Sequence, residues 1–154
     1  KESGVTAFFT RSSAANIPVN MFLCESLGLG KEFYSVSIPL GATINMDGTS
    51  IMQGVAVVFV AQAFGIALTP ADYLTVIATA TLASIGTAGT PGAGMIMLAM
   101  VLQAMNIPVD MIMIIYGVDR LFDMGRTCLN ITGDGAVAIV MDQEEKRYAK
   151  KQAA

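Results

Sequence analysis

Long apolar runs alternate with short clusters of glycine, proline and polar residues along this chain. The runs are rich in alanine, leucine and methionine and lack the two-residue alternation of a half-buried strand, which favours helices. In order, they are NIPVNMFLCESLGLG, FYSVSIPLGATI, SIMQGVAVVFVAQAFGIAL, DYLTVIATATLASI, MIMLAMVLQAM and VDMIMIIYGVDRLFDMGRTCLNITGDGAVAIVMD. The pattern predicts an all-α protein.

The lengths of the runs predict full membrane crossings in some places and partial entry in others. The third run can cross a bilayer at a rise of about 1.5 Å per residue. The fourth and fifth runs are each about a dozen residues long, against the roughly twenty that a full span needs. They flank the glycine-rich segment GTAGTPGAG. Two short apolar arms around such a tip predict a re-entrant helical hairpin.

Three polar or glycine-rich breaks, TRSSAAN, INMDGTS and GTAGTPGAG, interrupt the apolar pattern. Non-helical backbone at membrane depth survives only where it is buried in protein or lines a cavity. Interrupted apolar segments of this kind point to the binding site of a transporter. The alternative, surface loops between the core helices of a soluble protein, is weaker because the flanking runs lack polar faces.

Composition favours a membrane protein. Of the 154 residues, 54% are apolar and 14% are charged, and no lysine or arginine occurs between Lys31 and Arg120. With a net charge of −3, the basic residues do not form the stripe that nucleic-acid binding needs. No histidine is present and the two cysteines are far apart, so zinc clusters and Ser-His-Asp or Cys-His sites are excluded. We expect no organic cofactor, and any metal would need oxygen ligands.

The two ends of the chain differ in character. The tail EEKRYAKKQAA carries several basic residues directly after the last apolar run, which by the positive-inside tendency predicts a cytoplasmic C-terminus. An ordinary solvated tail fits the same residues equally well. The chain opens KESGVTAFFT, with no starting methionine and no signal segment, which predicts that it belongs to a longer protein.

Polar residues of the last run recur every three or four positions, which places them on one face of a helix. They are Asp119, Asp123, Arg126, Asn130 and Asp134, with Thr127 beside them. In a soluble helix such a face is usually the solvated side. Here most of the other positions are apolar or glycine, and ionisable residues within a membrane almost always face a bundle interior or a wet cavity. We therefore expect a functional face.

The charges on this face suit an acidic amino acid. Arg126 offers a planar fork of donors to a carboxylate, and Asp123 can accept from an ammonium group. Asp134 and Asp47 have no evident basic partner, so each is either protonated or completed by a cation. Hard oxygen ligands suit an alkali or alkaline-earth ion.

The motifs NMDGT, SIGTAGTPGAG and DRLFDMGRTCLNITGD together resemble the glutamate transporter family, the dicarboxylate/amino acid:cation symporters. The match runs from TRSSAANIP to the end of the last helix. The resemblance implies an all-α membrane fold with broken transmembrane helices and re-entrant helical hairpins. It also implies homotrimers, in which each subunit has a scaffold and a mobile transport domain, in the plasma (cell inner) membrane with many crossings of the lipid bilayer.

By the same resemblance, residues 1–141 are the C-terminal part of a transport domain. Residues 1–30 would form the tip and second arm of the first hairpin, 33–68 a broken transmembrane helix, 70–107 the second re-entrant hairpin and 108–141 the last transmembrane helix. Residues 142–154 would form a charged cytoplasmic tail.

The resemblance also assigns substrate-binding residues. Ser13 and Asn130 would hold the main-chain carboxylate, Asp123 the amino group, and Arg126 with Thr49 the side-chain carboxylate. The remaining members of the set are Arg11, through its backbone, Thr127, and Thr90 and Gly94 on the tip of the second hairpin, which closes as an outer gate.

Three sodium sites are implied in the same way. The first would draw on Gly41, Asn45, Asn130 and Asp134. The second would use carbonyl groups around Thr43, Ser84, Ile85 and Thr87 and form when the tip closes. Asp47 would serve a third ion, whose other ligands lie on an earlier segment. Met46, between Asn45 and Asp47, belongs to the same set of predicted ion-binding residues. On this interpretation a sodium ion compensates the charge of Asp47.

The sequence thus predicts sodium-coupled symport of aspartate or glutamate by alternating access, and no enzymatic activity. Relatives that transport C4-dicarboxylates tend to have serine at the position of Asp123, and neutral amino acid transporters tend to replace Arg126. Transport of C4-dicarboxylates, cystine or neutral amino acids remains open, because the first tip reads SSAAN and Thr90 stands where valine is common. A structural subunit of a membrane complex is the rival from another class. An aspartyl hydrolase that uses Asp123 and Asp134 is the weakest alternative, since the two carboxylates would lie roughly 16 Å apart along the helix, too far for a dyad.

Overall fold

The computed structural model describes residues 1–152, which form helices and no strand. The elements are α1 (Glu2–Thr10), α2 (Ser13–Ser26), α3 (Lys31–Ile44), α4 (Asp47–Ala63), α5 (Pro70–Ile85), α6 (Ala93–Ala104), a 3₁₀ helix (Val109–Ile112), α7 (Met113–Tyr116) and α8 (Asp119–Gln152). The prediction of an all-α chain is confirmed. The last two residues of the predicted tail, 153 and 154, lie outside the described part.

Two helix–turn–helix units meet at their tips. In the first, Arg11 ends α1 in the left-handed conformation (φ 53°) and Ser12 caps α2 by accepting a hydrogen bond from the backbone N–H of Ala15. In the second, residues 86–92 connect α5 to α6. Gly89 joins the two tips, because its carbonyl oxygen accepts from Ser12 Oγ at 2.7 Å and from the backbone N–H of Ala14 at 3.1 Å.

The helix between these units is broken at Asn45 and Met46. Neither residue has helical dihedral angles, and the break separates α3 from α4. Gly41, in the last turn of α3, lies so close to α8 that an added Cβ atom would stand 2.6 Å from Asp134 Oδ1. The break therefore brings the end of α3 and the start of α4 against the polar face of α8.

Two apolar clusters hold the helices together. The larger joins α4, α5 and α6 through buried residues such as Val57, Leu98 and Leu102, and the smaller joins α2, α3 and α8 around Ile38 and Ala138. Large apolar side chains also cover the outer surface, among them Phe9 and Leu82, which are more than two-thirds exposed. Within the described residues, one helical stretch, Lys31–Ala63, is long and apolar enough to cross a membrane by length and composition.

Helix α8 has 34 residues, so at about 1.5 Å per residue it is longer than the roughly 30 Å hydrocarbon core of a bilayer. Within the segment predicted as a tail, it continues as a helix to Gln152. In that segment Asp142 accepts hydrogen bonds from the Gly30 N–H (2.9 Å) and from Lys146 Nζ (2.6 Å). Gly30 caps the N-terminus of α3, so this contact fastens α3 to α8.

Asp142→Ala is expected to lower the Tm of the purified protein by a few degrees at neutral pH, because it removes the acceptor of the Gly30 N–H. That N–H group and Lys146 hold the pKa of Asp142 below its ordinary value. The contribution is therefore present above the unfolded-state pKa of about 3.9 and lost as pH falls through the lower folded-state pKa. The difference in Tm should shrink below about pH 4. Glu145→Ala, an exposed neighbour, is the control, and equal Tm values for the two variants would contradict the role of Asp142.

Candidate functional site

One narrow cleft contains every residue predicted to bind substrate. It lies between the α1–α2 turn, the start of α4, the α5–α6 tip and α8, and its free volume is only about 10 Å³, room for about one water molecule. The predicted residues that line it are Arg11, Ser13, Thr49, Thr90, Gly94, Asp123, Arg126, Thr127 and Asn130. The remaining lining residues are Met46, Thr87, Ala88 and Gly89.

An ion pair between Asp123 and Arg126 lies at the centre of the cleft. The Asp123 carboxylate accepts from the Arg126 guanidinium, and the two residues are only 2% and 6% exposed. Asp123 Oδ2 also lies 3.8 Å from Arg11 Nη1 and accepts from the Gly92 N–H at 3.4 Å. Two guanidinium groups thus face one carboxylate among the lining residues, a balance that suits a ligand with a net negative charge.

The Arg126 guanidinium is enclosed on its other sides. Its Nη1 atom lies 3.8 Å from Met52 Sδ. It also fills the space beside Gly94 on the second tip, where an added Cβ atom would overlap the guanidinium. A side chain at position 94 would therefore require the Arg126 guanidinium to move.

Neutral polar groups complete the cleft. Asn130 Nδ2 donates to Thr49 Oγ1 at 3.2 Å and approaches Met46 Sδ at 3.3 Å. Thr127 donates to the carbonyl oxygen of Asp123 at 2.8 Å, which leaves its hydroxyl oxygen as an acceptor. These groups can orient the polar ends of a small zwitterion.

A second group of predicted residues meets behind the cleft, where α3 contacts α8. Asn45 Nδ2 donates to Asp134 Oδ1 at 3.0 Å, and Gly41 lies against the same oxygen. The other oxygen, Asp134 Oδ2, is buried and has no hydrogen-bond partner among residues 1–152. An ionised oxygen in such a place is costly unless a cation or proton satisfies it. The unpartnered carboxylate oxygen is a hard ligand of the kind that suits a sodium ion.

The residues predicted for the other two sodium ions are less enclosed. Ser84 and Thr87 are buried, but their hydroxyl groups donate to carbonyl oxygens of their own helical turn. Thr43 and Ile85 are exposed. Asp47 is also exposed, in the first turn of α4, where the helix N-terminus favours a carboxylate. Among residues 1–152, no cluster of three or more His, Cys, Asp or Glu side chains could hold a metal ion.

Sequence reasoning missed the contacts that join the two tips. The hydrogen bond from Ser12 to Gly89 links residues 77 positions apart, and no local pattern signals it. It also missed Met52, which looks like an ordinary apolar residue of α4. The serine-rich composition of the first tip was the only available signal for Ser12.

Opposed helical tips and a broken helix around a charged, buried cleft are typical of secondary transporters. The chain belongs to the sodium:dicarboxylate symporter family, whose model matches residues 1–144. The resemblance found in the sequence is confirmed, and so is the prediction that the chain is not an enzyme, because the family is one of symporters.

Three relatives show the range of the family. The chain is 47% identical over 139 residues to the serine/threonine transporter SstT of Bifidobacterium adolescentis, covering 87% of the chain and 32% of the relative. It is 42% identical over 135 residues to human excitatory amino acid transporter 2, covering 86% and 23%. It is 42% identical over 148 residues to the human neutral amino acid transporter B(0), covering 92% and 27%. The chain thus spans about a quarter to a third of the length of these relatives.

Proposed function

We propose that the full-length protein is a sodium-coupled symporter of aspartate or glutamate that works by alternating access. The observation that carries the proposal is the buried Asp123–Arg126 pair, with Arg11 nearby, in a cleft between two helical tips. An acidic amino acid carries the opposite charge to each member of the pair. Its ammonium group can replace the guanidinium at Asp123, while its side-chain carboxylate takes the guanidinium.

The other lining residues receive matching roles. Asn130 and Ser13 bind the main-chain carboxylate, and Thr49 supports Arg126 at the side-chain carboxylate. Thr90 and Gly94 close the second tip over the bound molecule. Because the cleft is narrow, the two tips have to separate for a substrate to enter.

Sodium binding is coupled to substrate binding because both involve Asn130 and the second tip. Gly41, Asn45, Asp134 and the carbonyl group of Asn130 hold one ion, and Asn130 also lies in the cleft. Carbonyl groups around Thr43, Ser84, Ile85 and Thr87 hold a second ion near the second tip, and Asp47 with Met46 contributes to a third. Each ion that favours the closed tip raises the affinity for substrate, and the substrate raises the affinity for sodium by the same free energy.

The proposal extends to the placement of the chain. Residues 1–30 form the tip and second arm of the first re-entrant hairpin, 33–68 the broken helix, 70–107 the second re-entrant hairpin and 108–141 the last membrane-spanning helix of a transport domain. The exposed apolar side chains then face lipid or the scaffold of a homotrimer in the plasma membrane. The basic residues after Met141 support a cytoplasmic C-terminus.

A neutral amino acid is the second candidate substrate. It is favoured by the 47% identity to a relative named as a serine/threonine transporter. Arg126 argues against it, because a neutral side chain would leave the buried guanidinium without a carboxylate from the ligand.

Uptake by proteoliposomes tests the function. Radiolabelled aspartate should accumulate when the full-length protein is given an inward sodium gradient, and not when choline replaces sodium. Excess unlabelled serine should compete weakly. Absence of aspartate uptake together with sodium-driven serine uptake would transfer the proposal to the neutral candidate, and uptake of neither would contradict transport of amino acids.

Asp134→Asn is expected to weaken sodium binding about tenfold or more, because it removes the charge of the unpartnered buried oxygen while keeping an acceptor for Asn45. The measurement is the sodium concentration that gives half-maximal aspartate uptake. Glu145→Gln, an exposed carboxylate on the same helix, is the control. An unchanged sodium dependence in Asp134→Asn would remove Asp134 from the ion site.

A further inference from the structure

Gly48 lies where the first turn of α4 crosses α8. A Cβ atom on Gly48 would stand 2.6 Å from the carbonyl oxygen of Arg126 and 2.9 Å from the Cβ atom of Leu129. The first of these is a backbone atom inside a long helix and cannot turn aside. Any side chain at this position would therefore push α4 away from α8, and glycine allows the two backbones to meet beside the cleft.

This close approach gives the Gly48 N–H a partner on α8. The group belongs to the first turn of α4, where backbone N–H groups have no acceptor within their own helix. It donates to Asn130 Oδ1 at 2.9 Å, and both residues are buried. Because a backbone N–H is only a donor, it can face only the oxygen of the amide.

The bond decides what Asn130 presents to the cleft. With its oxygen held by Gly48, the Asn130 NH₂ group points to Thr49 Oγ1 and Met46 Sδ, which also line the cleft. A thioether is a weak acceptor, and a carboxylate oxygen replaces it with a stronger, charge-assisted hydrogen bond. An inverted amide would set an acceptor against that carboxylate and leave the Gly48 N–H facing a donor.

We infer that Gly48 is a positioning residue that fixes the Asn130 amide, so that its NH₂ group faces the α-carboxylate of the substrate. The inference rests on the proposed function, in which Asn130 binds that carboxylate. On this inference, a residue that does not line the cleft contributes to the recognition of the substrate.

Gly48→Ala should weaken aspartate binding by the full-length protein about tenfold or more. Gly54→Ala is the matched control, because Gly54 lies on the same helix and an added Cβ there meets nothing within 4 Å. We expect that control to bind aspartate within about twofold of wild type, a change far smaller than the loss of a charge-assisted hydrogen bond. Equal affinities for Gly48→Ala and Gly54→Ala would overturn the inference.

A double-mutant cycle separates this role from a general loss of structure. If Gly48 acts through Asn130, replacing the Gly48 N–H by an ester oxygen in an Asn130→Ala background should weaken aspartate binding no further than Asn130→Ala alone. Losses that multiply would show that Gly48 acts independently of the amide, which overturns the inference.

Replacing Gly48 by glycolic acid, through semisynthesis, keeps the inference testable if Gly48→Ala does not fold. This change turns the amide into an ester, so it removes the N–H without adding an atom and without breaking a hydrogen bond inside α4. The ester variant should also lose aspartate affinity. If it binds aspartate with wild-type affinity, the inference about Gly48 is overturned while the proposed function stands. A wild-type protein that binds no aspartate at any sodium concentration would instead overturn the proposed function, and the inference with it.

Discussion

Arg126→Cys is expected to abolish aspartate uptake and to admit a neutral amino acid such as serine. The Arg126 guanidinium is buried against Asp123 and can also hold a second carboxylate, whereas Arg11 is farther away, at 3.8 Å from Asp123. Losing one member of a buried charged pair costs roughly a hundredfold or more in affinity. Without the guanidinium, the part of the cleft that holds the substrate side chain becomes larger. It then contains no buried positive charge for a substrate carboxylate to neutralise.

The measurement is competition against sodium-driven uptake in proteoliposomes, with aspartate and serine titrated separately. Arg120→Cys is the matched control, since Arg120 lies on the same helix with its side chain exposed. It should leave both affinities unchanged. Unchanged aspartate affinity in Arg126→Cys would show that another group binds the side-chain carboxylate.

Asp123→Asn should weaken aspartate by about a hundredfold and succinate far less. Asp123 is the one carboxylate that lines the cleft in the described chain, so it alone offers a charged acceptor to an ammonium group there. Succinate has no amine to lose this contact. The amide also releases Arg126, whose guanidinium then becomes available to a carboxylate of either ligand.

The measurement is the ratio of the inhibition constants of aspartate and succinate, determined on the same preparation. Asp110→Asn changes an exposed carboxylate outside the cleft and should leave the ratio at its wild-type value. Equal losses for aspartate and succinate would contradict the assignment of Asp123 to the amino group.

The polar face of α8 was predictable from the sequence because helical periodicity is a local property. Residues three and four positions apart share a face whatever surrounds the helix, and the apolar composition of the other positions indicated that this face is covered. The structure buries Asp119, Asp123, Arg126, Asn130 and Asp134. The glycine-rich tip and the break at INMDGTS were predictable for the same local reason.

Contacts between distant segments were not predictable in this way. The pairing of Asp123 with Arg126 follows from their spacing, but the approach of Arg11 depends on how the first tip packs against α8. The hydrogen bond from Gly30 to Asp142 joins the start of α3 to the far end of α8. Such bonds depend on tertiary packing, which a pattern along the chain does not encode.

The direction of the Asp47 side chain was not predictable from neighbouring residues. Its position between two apolar runs predicted a carboxylate compensated by a cation, and that role stays a prediction. In the structure the break in the helix turns Asp47 to the surface of the described chain, at the N-terminus of α4. The direction of a side chain at a break depends on the backbone there, and hydropathy does not report it.

The most direct test is calorimetric titration of the full-length protein with aspartate at a series of sodium concentrations and constant ionic strength. The proposed mechanism holds that a sodium ion neutralises Asp134, and that the substrate binds by exchanging its own charges for the contact between Asp123 and Arg126. It predicts that the Kd for aspartate falls steeply as sodium rises, and that bound aspartate lowers the Kd for sodium by the same factor. An aspartate Kd that is the same at low and high sodium would contradict it.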